Sequence, residues 1–387
     1  MTIVMIGHKG VPSRSGGIER CVEELSTALV KRGVRVISFD RKWYVGDEPS
    51  PAGVLRRWSY GIKTKHLDAI THTFTAIILA RRDRPDIIHI HGVGPSLLAP
   101  FARILHPRAK IVSTFHCVDR THAKWGVVAR AMLRMGEAFT CRFADRTITV
   151  SETLALYCLN TYECQPCVIP NGVRIEAGSD MSLLSVFGLK PYKYFAMVTR
   201  LVPHKNAHLA IQAHKVLATQ RPDLAAQYPL VIVGGSAFTG EYAKELEAAC
   251  RAYPHVRMVG EQYGSMLSAL QEFALAHLSI ASSEGMSISL LEAMAMCRPV
   301  IVSDIPENTG VTGTDAIIVR TGDVDNLAHA LETVCDLPED ERFRMGVRLA
   351  ERVNERHNWD VIADDTLALY REISSSPVSS FFRMKAV

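Results

Sequence analysis

Residues 3–29, "IVMIGHKGVPSRSGGIERCVEELSTAL", decide the class of fold. The run "IVMI" is short, apolar and bounded by Gly7, as a buried strand would be. Further on, Ile18, Cys21, Val22, Leu25 and Leu29 fall at helical spacing. A polar loop ending in Gly16 and Gly17 joins the two. Strand, glycine-rich loop and helix make the opening of a βαβ unit. A helix start without side chains is also a place for an anion, because unpaired N–H groups and the helix dipole converge there. The dinucleotide fingerprint asks for three glycines within six residues and an acidic residue roughly 20 positions on. Gly7, Gly10, Gly16 and Gly17 are too widely spaced for it, although Asp40 ends a second apolar run, "VRVISFD". A phosphate loop and a tight turn that requires glycine both remain open for this pair.

Outward from that stretch the alternation continues. Strand-like runs at 2–7, 34–40, 86–91, 110–115, 146–150 and 166–169 are separated by helical patterns at 17–32, 66–83, 95–105, 124–143 and 151–160. "PNGV" (170–173) marks a turn. A second set of strands follows at 194–199, 229–235, 255–259, 277–281, 298–302 and 315–319, and the tail is helical. Alternating strands and helices predict parallel sheets covered on both faces. Two sets predict two doubly wound α/β domains, 1–173 and 174–357, with a helix at 358–387 packing back on the first. Ligand binding is expected at the strand carboxyl ends, in a cleft between the domains.

The whole chain agrees with this. At 387 residues it exceeds what one core usually organises. No apolar run reaches the roughly 20 residues of a membrane span, and no leader peptide is visible. A cytoplasmic protein is expected. Net charge of +4 is too small for a general nucleic-acid surface. Cations cluster locally, however. Residues 120–142 carry Arg120, Lys124, Arg130, Arg134 and Arg142 among apolar residues, and residues 54–84 carry Arg56, Arg57, Lys63, Lys65, Arg81, Arg82 and Arg84. Each stretch reads either as a solvated helix face or as a surface for anionic lipid. The nine cysteines are scattered among apolar neighbours. Cys164 and Cys167 form one C-x-x-C with Cys158 nearby, but no second pair sits at finger spacing, so they read as structural thiols.

The chemistry concentrates in the second half. "VTRLVPHKN" (198–206) follows a strand and offers Arg200 and Lys205 from one loop, a pairing that suits a diphosphate. "SSEGMSISLLEAMAMCRPVIVSD" (282–304) places Glu284 after a strand and Glu292 eight residues later on a helix. Between them Met286, Ser287, Ile288 and Ser289 straddle the helix start, where N–H groups can meet phosphate. Carboxylates on either side can accept hydrogen bonds from hydroxyl groups. Cations, carboxylates and a helix N-terminus together suit a nucleotide sugar. Glu292 lies in an apolar helix and needs a partner if buried.

E-x7-E, an upstream R-L-x-x-x-K-N and two Rossmann-like halves resemble the retaining GT-B glycosyltransferases of family 4 (group 1). "VIPNGV", "PVIVSD" and "HNWDVIADDTLALY" fall where that family has them. "IGHKGVPSRSGGIE" further resembles a bacterial branch that builds exopolysaccharide, capsule and lipid-linked glycans. The resemblance implies that Arg200 and Lys205 bind the donor diphosphate, that Glu284 lies near the donor sugar and that Glu292 holds the ribose. It implies that the amides of 286–289 touch phosphate and sugar, and that Gly260 lies beside the base. His116 in "STFHCVD" would face the donor sugar, and Gly16 and Gly17 would close on the diphosphate. No metal cofactor is implied, and Asp323 reads as a helix cap. The donor would be a UDP-sugar in preference to a GDP- or dTDP-sugar. The acceptor would be a glycan or a polyprenyl-linked lipid, met at the anionic inner face of the cell membrane. A sugar-nucleotide epimerase and a non-catalytic nucleotide-sugar binding protein are the alternatives. Four positions depart from the family pattern: Met286 stands where phenylalanine is common, and Thr199, Ser287 and Cys297 where glycine is common.

Overall fold

The computed structural model describes residues 1–14, 16–64, 67–121, 125–174, 178–235 and 240–375. The chain divides into two compact units. One holds Met1–Asn171 and the segment from Trp359 onward, the other Gly172–Asn358.

In the first unit seven strands form one sheet: β1 (Thr2–Ile6), β2 (Arg35–Asp40), β3 (Leu55–Trp58), β4 (Ile87–His91), β5 (Lys110–Phe115), β6 (Arg146–Thr149) and β7 (Cys167–Val168). Their order is β3-β2-β1-β4-β5-β6-β7, and every pair is parallel. Helices on both faces bury β4 and β5 from end to end, which is why those strands are not alternating in character. The helix Trp359–Ser375 packs on Gly17–Lys31. Arg32 there reaches Asp364 at 2.6 Å and Asp360 at 3.2 Å.

The basic stretch at 54–84 is not one amphipathic segment. It holds β3, a loop, the helix Asp68–Leu79 and a 3₁₀ turn at Ala80–Asp83. β3 is a four-residue edge strand, too short for alternation to show in the sequence. Its arginines tie the edge down: Arg56 reaches buried Asp40 at 3.0 Å and Arg57 reaches Asp83 at 3.1 Å. Lys65, Lys124 and the end of the C-terminal tail, 376–387, lie outside the described residues.

In the second unit, β8 (Phe195–Val198), β9 (Leu230–Val233), β10 (Val256–Met258), β11 (Ala276–Ser279), β12 (Val300–Ser303) and β13 (Ile317–Val319) form a parallel sheet in the order β10-β9-β8-β11-β12-β13. Cys297, where the family usually has glycine, sits in the left-handed region at φ 55°. A side chain there costs about 1 kcal/mol or more, which the surrounding packing must hold. Asp323 caps the helix Val324–Asp336 by accepting the N–H of Asn326 at 2.9 Å.

Candidate functional site

In each sheet the strand order reverses beside the first strand, at β1/β4 and at β8/β11, and ligands of open α/β sheets bind at the carboxyl ends there. In the second unit the sequence-selected residues gather at that point. Arg200 follows β8, and Lys205 ends the 3₁₀ turn Pro203–Lys205. Asn206, at φ 61°, turns the chain into the helix Ala207–Gln220 and donates to Ile280 O at 2.9 Å, tying the loop after β8 to the segment after β11. Ser282 N–H adds a bond to His204 O at 2.9 Å.

Within this frame the Lys205 ammonium donates to Glu284 Oε1, with both side chains nearly nine-tenths buried. Arg200 is half-buried, and no hydrogen bond or ion pair is made by its guanidinium among the described residues. Ser287, a family departure, is the N-cap of the helix Ile288–Ala295: its Oγ accepts the N–H of Leu290 at 3.4 Å and lies 3.1 Å from Ser289 Oγ. Serine thus replaces glycine with a capping residue. The first-turn amides of Ile288 and Ser289 have no intrahelical acceptor. Met286 packs on the apolar cluster around Leu290 and Leu291. Glu292, half-buried on the same helix, accepts from Gln271 Nε2 at 3.2 Å, the partner its apolar setting demanded. Gly260 is exposed, at φ 72°, and its carbonyl accepts the N–H of Gly234 at 2.8 Å. The site therefore offers an unengaged guanidinium, an ion pair, two open amides and a half-buried carboxylate, a donor and acceptor set for phosphate and hydroxyl groups.

In the first unit, Gly16 is the N-cap of Gly17–Lys31 at φ 103°, and a Cβ on it would stand 2.2 Å from Glu19 Oε2. The backbone there favours glycine, and a Cβ would also have to push the end of the Glu19 side chain aside. Gly17 is exposed. Glu19 accepts the N–H of Lys9 at 3.1 Å. Burial would raise its carboxyl, but the Lys9 charge and backbone N–H groups outweigh burial and hold it below its ordinary value. His116 follows β5, nearly buried, with Nε2 3.3 Å from His91 Nδ1. Burial brings it down to about 4, so it is neutral at pH 7.

Residues 15–177 match the model of Glycosyltransferase Family 4, and residues 186–351 that of Glycosyl transferases group 1. The chain belongs to the family 4, group 1 glycosyltransferases. Over 272 residues it is 26% identical to UDP-Gal:alpha-D-GlcNAc-diphosphoundecaprenol alpha-1,3-galactosyltransferase of Escherichia coli, covering 67% of this chain and 68% of that one. It matches the structure of sucrose-phosphate synthase from Thermosynechococcus elongatus with a TM-score of 0.80 at 21% identity, over 96% of this chain and 98% of that one. For HepE of Anabaena in complex with UDP-glucose the TM-score is 0.77 at 18% identity, over 96% and 100%. These structural likenesses establish the fold, two Rossmann-like α/β domains of the GT-B type.

The glycosyltransferase holds site residues that the sequence reading passed over. At Gly234, φ 146°, a Cβ would stand 1.8 Å from Thr199 O, while Thr199 N–H bonds Val233 O and Leu201 N–H bonds Gly235 O, both at 2.9 Å. The glycine thus lets the chain pass against the loop that carries Arg200, and "VGG" at a strand end was the signal. Gly234→Ala is expected to displace that loop and weaken nucleotide binding at least tenfold by calorimetry, an energy of about 1.4 kcal/mol or more. Unchanged binding would detach the loop's position from the site. Glu307, in "SDIPE", is half-buried; burial first, and the charge of Glu284 second, raise its carboxyl above the ordinary value.

Proposed function

We propose that this glycosyltransferase moves a hexose from a nucleoside diphosphate sugar, with a UDP-sugar preferred, to a glycan or lipid-linked acceptor, with retention at the anomeric carbon. The observation that carries the reading is the grouping of Arg200, the Lys205–Glu284 pair, the open amides of Ile288 and Ser289 and Glu292 at one switch point. Arg200 and Lys205 would take the diphosphate, Glu292 the ribose, Gly260 the side of the base, and Glu284 with the segment Met286–Ser289 the sugar. To the same donor we assign His116 and the Gly16–Gly17 loop. Transfer would proceed on one face of the sugar. The bond from C1 to the phosphate oxygen breaks, the bond from C1 to the acceptor oxygen forms, and the acceptor proton passes to the departing diphosphate. Glu284, engaged by Lys205, is poorly placed to be a free nucleophile, which supports that course. The charge that develops on the diphosphate is where the two cations act. The HepE structure contains UDP-glucose and the Escherichia coli relative is named for a UDP-Gal donor, and both names support a UDP-sugar.

A panel of UDP-, GDP- and dTDP-sugars in thermal-shift assays tests the donor, because a ligand bound only by the folded state raises its stability. Glu292→Gln is expected to weaken binding of free UDP, and Glu284→Gln to slow transfer with UDP binding little changed. Equal loss of binding in both would remove the separation of ribose and sugar roles. Product formation from donor without acceptor would favour an epimerase instead.

We assign the acceptor to a membrane surface as well, in the synthesis of cell-surface polysaccharide. No helix among the described residues is long and apolar enough to cross a membrane. The helix Val127–Phe143 exposes Val127, Val128, Met132 and Met135 beside Arg130 and Arg134. Such cations gain about 1 kcal/mol each at an anionic surface and lose it to salt. The protein is expected to co-sediment with anionic vesicles at low salt and to be released at high salt. Arg130→Ser with Arg134→Ser should weaken the association without changing UDP affinity. Wild-type indifference to anionic vesicles at low salt would refute the assignment.

A further inference from the structure

The switch point of the first unit gathers His8 after β1, His89 and His91 on β4, and His116 after β5. His91 is the buried centre of this group. Its ring lies 4.0 Å from that of His89 and 5.6 Å from that of His116, and stands nearly perpendicular to that of His8 at 6.3 Å. Gly7, at φ 99°, lets the chain after β1 press on the same residue: a Cβ there would stand 2.5 Å from His91 O. The imidazole of His91 is thus fixed by packing, and its two nitrogens meet two different neighbours. Nδ1 lies 3.3 Å from His116 Nε2, and Nε2 lies 3.5 Å from the buried sulfur of Met5. A neutral imidazole has one N–H and one bare nitrogen, and the bond made by one nitrogen decides the state of the other. Burial keeps both rings neutral at pH 7, with His91 well below its ordinary value and His116 at about 4. At 3.3 Å one proton lies between His91 Nδ1 and His116 Nε2, since two bare nitrogens or two N–H groups would repel. A thioether accepts a hydrogen bond weakly and has none to give. With its proton on Nε2, His91 donates to Met5 and accepts from His116. With its proton on Nδ1, the bare Nε2 would face the sulfur as a buried acceptor without a donor, which is costly.

Given the assignment of His116 to the donor, we propose that His91 and Met5 are positioning residues: they hold His116 as the Nε2–H tautomer, so that its Nδ1 is left to accept a hydrogen bond from a hydroxyl of the donor sugar. His116 Nε2–H donates to His91 Nδ1, and His91 Nε2–H donates to Met5 Sδ. His116 Nδ1 makes no hydrogen bond among the described residues. The site then favours a sugar that carries a free hydroxyl at this place, because a deoxy carbon would leave the bare nitrogen unpaired.

The test labels the histidine rings of the full chain with nitrogen-15 and locates each ring proton by NMR at neutral pH, with His116→Gln identifying the resonance. The wild type should carry the His116 proton on Nε2. His91→Phe, which keeps a ring but removes the acceptor, should move it in part to Nδ1, and Met5→Leu should do the same to a smaller degree. Calorimetry then compares two probes: the nucleotide sugar that the thermal-shift panel selects, and its own nucleoside diphosphate, which lacks the sugar. His91→Phe should weaken the nucleotide sugar about tenfold, the scale of one lost hydrogen bond, and leave the nucleoside diphosphate unchanged. His91→Asn, whose amide oxygen can stand in for Nδ1, should recover most of that loss, which a role in packing alone would not produce. On a His116→Ala background, His91→Phe should cost nothing more. A wild-type His116 proton on Nδ1, a spectrum unmoved by His91→Phe, an equal loss for both probes, or an Asn variant no better than the Phe variant would each overturn the proposal. Wild-type affinity for the nucleotide sugar in His116→Ala would instead withdraw His116 from the donor, and the spectrum would still decide the tautomer.

Discussion

Arg200→Ala is expected to lower turnover about 10²-fold, the loss that follows when a group stabilising transition-state charge is removed. Its melting temperature should stay at the wild-type value, because the guanidinium makes no hydrogen bond or ion pair among the described residues that truncation would break. Lys205→Ala should lose a similar amount of turnover for a different set of reasons. Lys205 holds Glu284, and both are nearly nine-tenths buried. Removing the cation leaves a carboxylate in a dry setting without its partner, a cost of up to about 3 kcal/mol. Lys205→Ala should therefore melt several degrees lower, by about 2–4 °C for each kcal/mol in a unit of this size. Adding Glu284→Gln to Lys205→Ala removes the stranded charge, so stability should return while turnover does not. Steady-state kinetics beside calorimetry on the four proteins separates the two effects. Wild-type turnover in Arg200→Ala would place the diphosphate elsewhere.

Much of this could be read from residue types alone. The parallel strands were legible because helices on both faces turn them into apolar runs such as "IVMI" and "PLVIV". The cations and carboxylates of the second unit were legible because strand-end loops hold them at fixed spacing. β3 was not, since a four-residue edge strand with two arginines lacks both length and alternation. Gly234 was not singled out, because its need comes from Thr199, 35 positions earlier and adjacent only through the β8–β9 pairing. C-x-x-C drew the eye to Cys164 and Cys167, but in the fold the closing turn of the helix Glu152–Tyr162 joins Cys164 N–H to Cys158 O at 3.3 Å. The histidines of the first unit were passed over except for His116. "IIHIHG" puts His89 and His91 on the same face of β4, yet strand periodicity says nothing of which residues lie across from that face.

Those histidines make the first unit sensitive to acid. His89 lies between Thr114 Oγ1 and the Tyr370 hydroxyl, each at 2.6 Å, and its ring is 4.0 Å from that of His91. His72, on the helix Asp68–Leu79, is wholly buried. Burial is the leading cause in every case. Neighbouring positive charge adds to it at His72, His89 and His91, whereas Asp119 and Glu19 oppose it at His116: His72 falls to about 2, His89 to about 3 and His116 to about 4, with His91 well below its ordinary value. Each folded-state value is depressed, so the unfolded chain takes up protons from about pH 6.5 downward while the folded unit does not. The stability these groups permit is complete above about pH 6.5 and is lost as the pH falls toward the folded values. At pH 5 the loss is about 2 kcal/mol for each of His72, His89 and His116, or about 6 for the three, and His91 adds to it in the same direction. That is comparable to the whole stability of a typical domain, about 5–15 kcal/mol. Fewer such groups lie among the described residues of the second unit, where His277 is held at about 4 and His214 and His208 are lowered, all chiefly by burial. Melting followed by calorimetry from pH 7.5 to pH 5 should show the transition of the first unit falling away from that of the second. His72→Leu, which withdraws one of the four titrations, should reduce the pH slope of the first transition by about one proton. A first transition that keeps its midpoint at pH 5 would mean that these histidines are protonated in the folded unit, and that the buried row beneath His116 is wet.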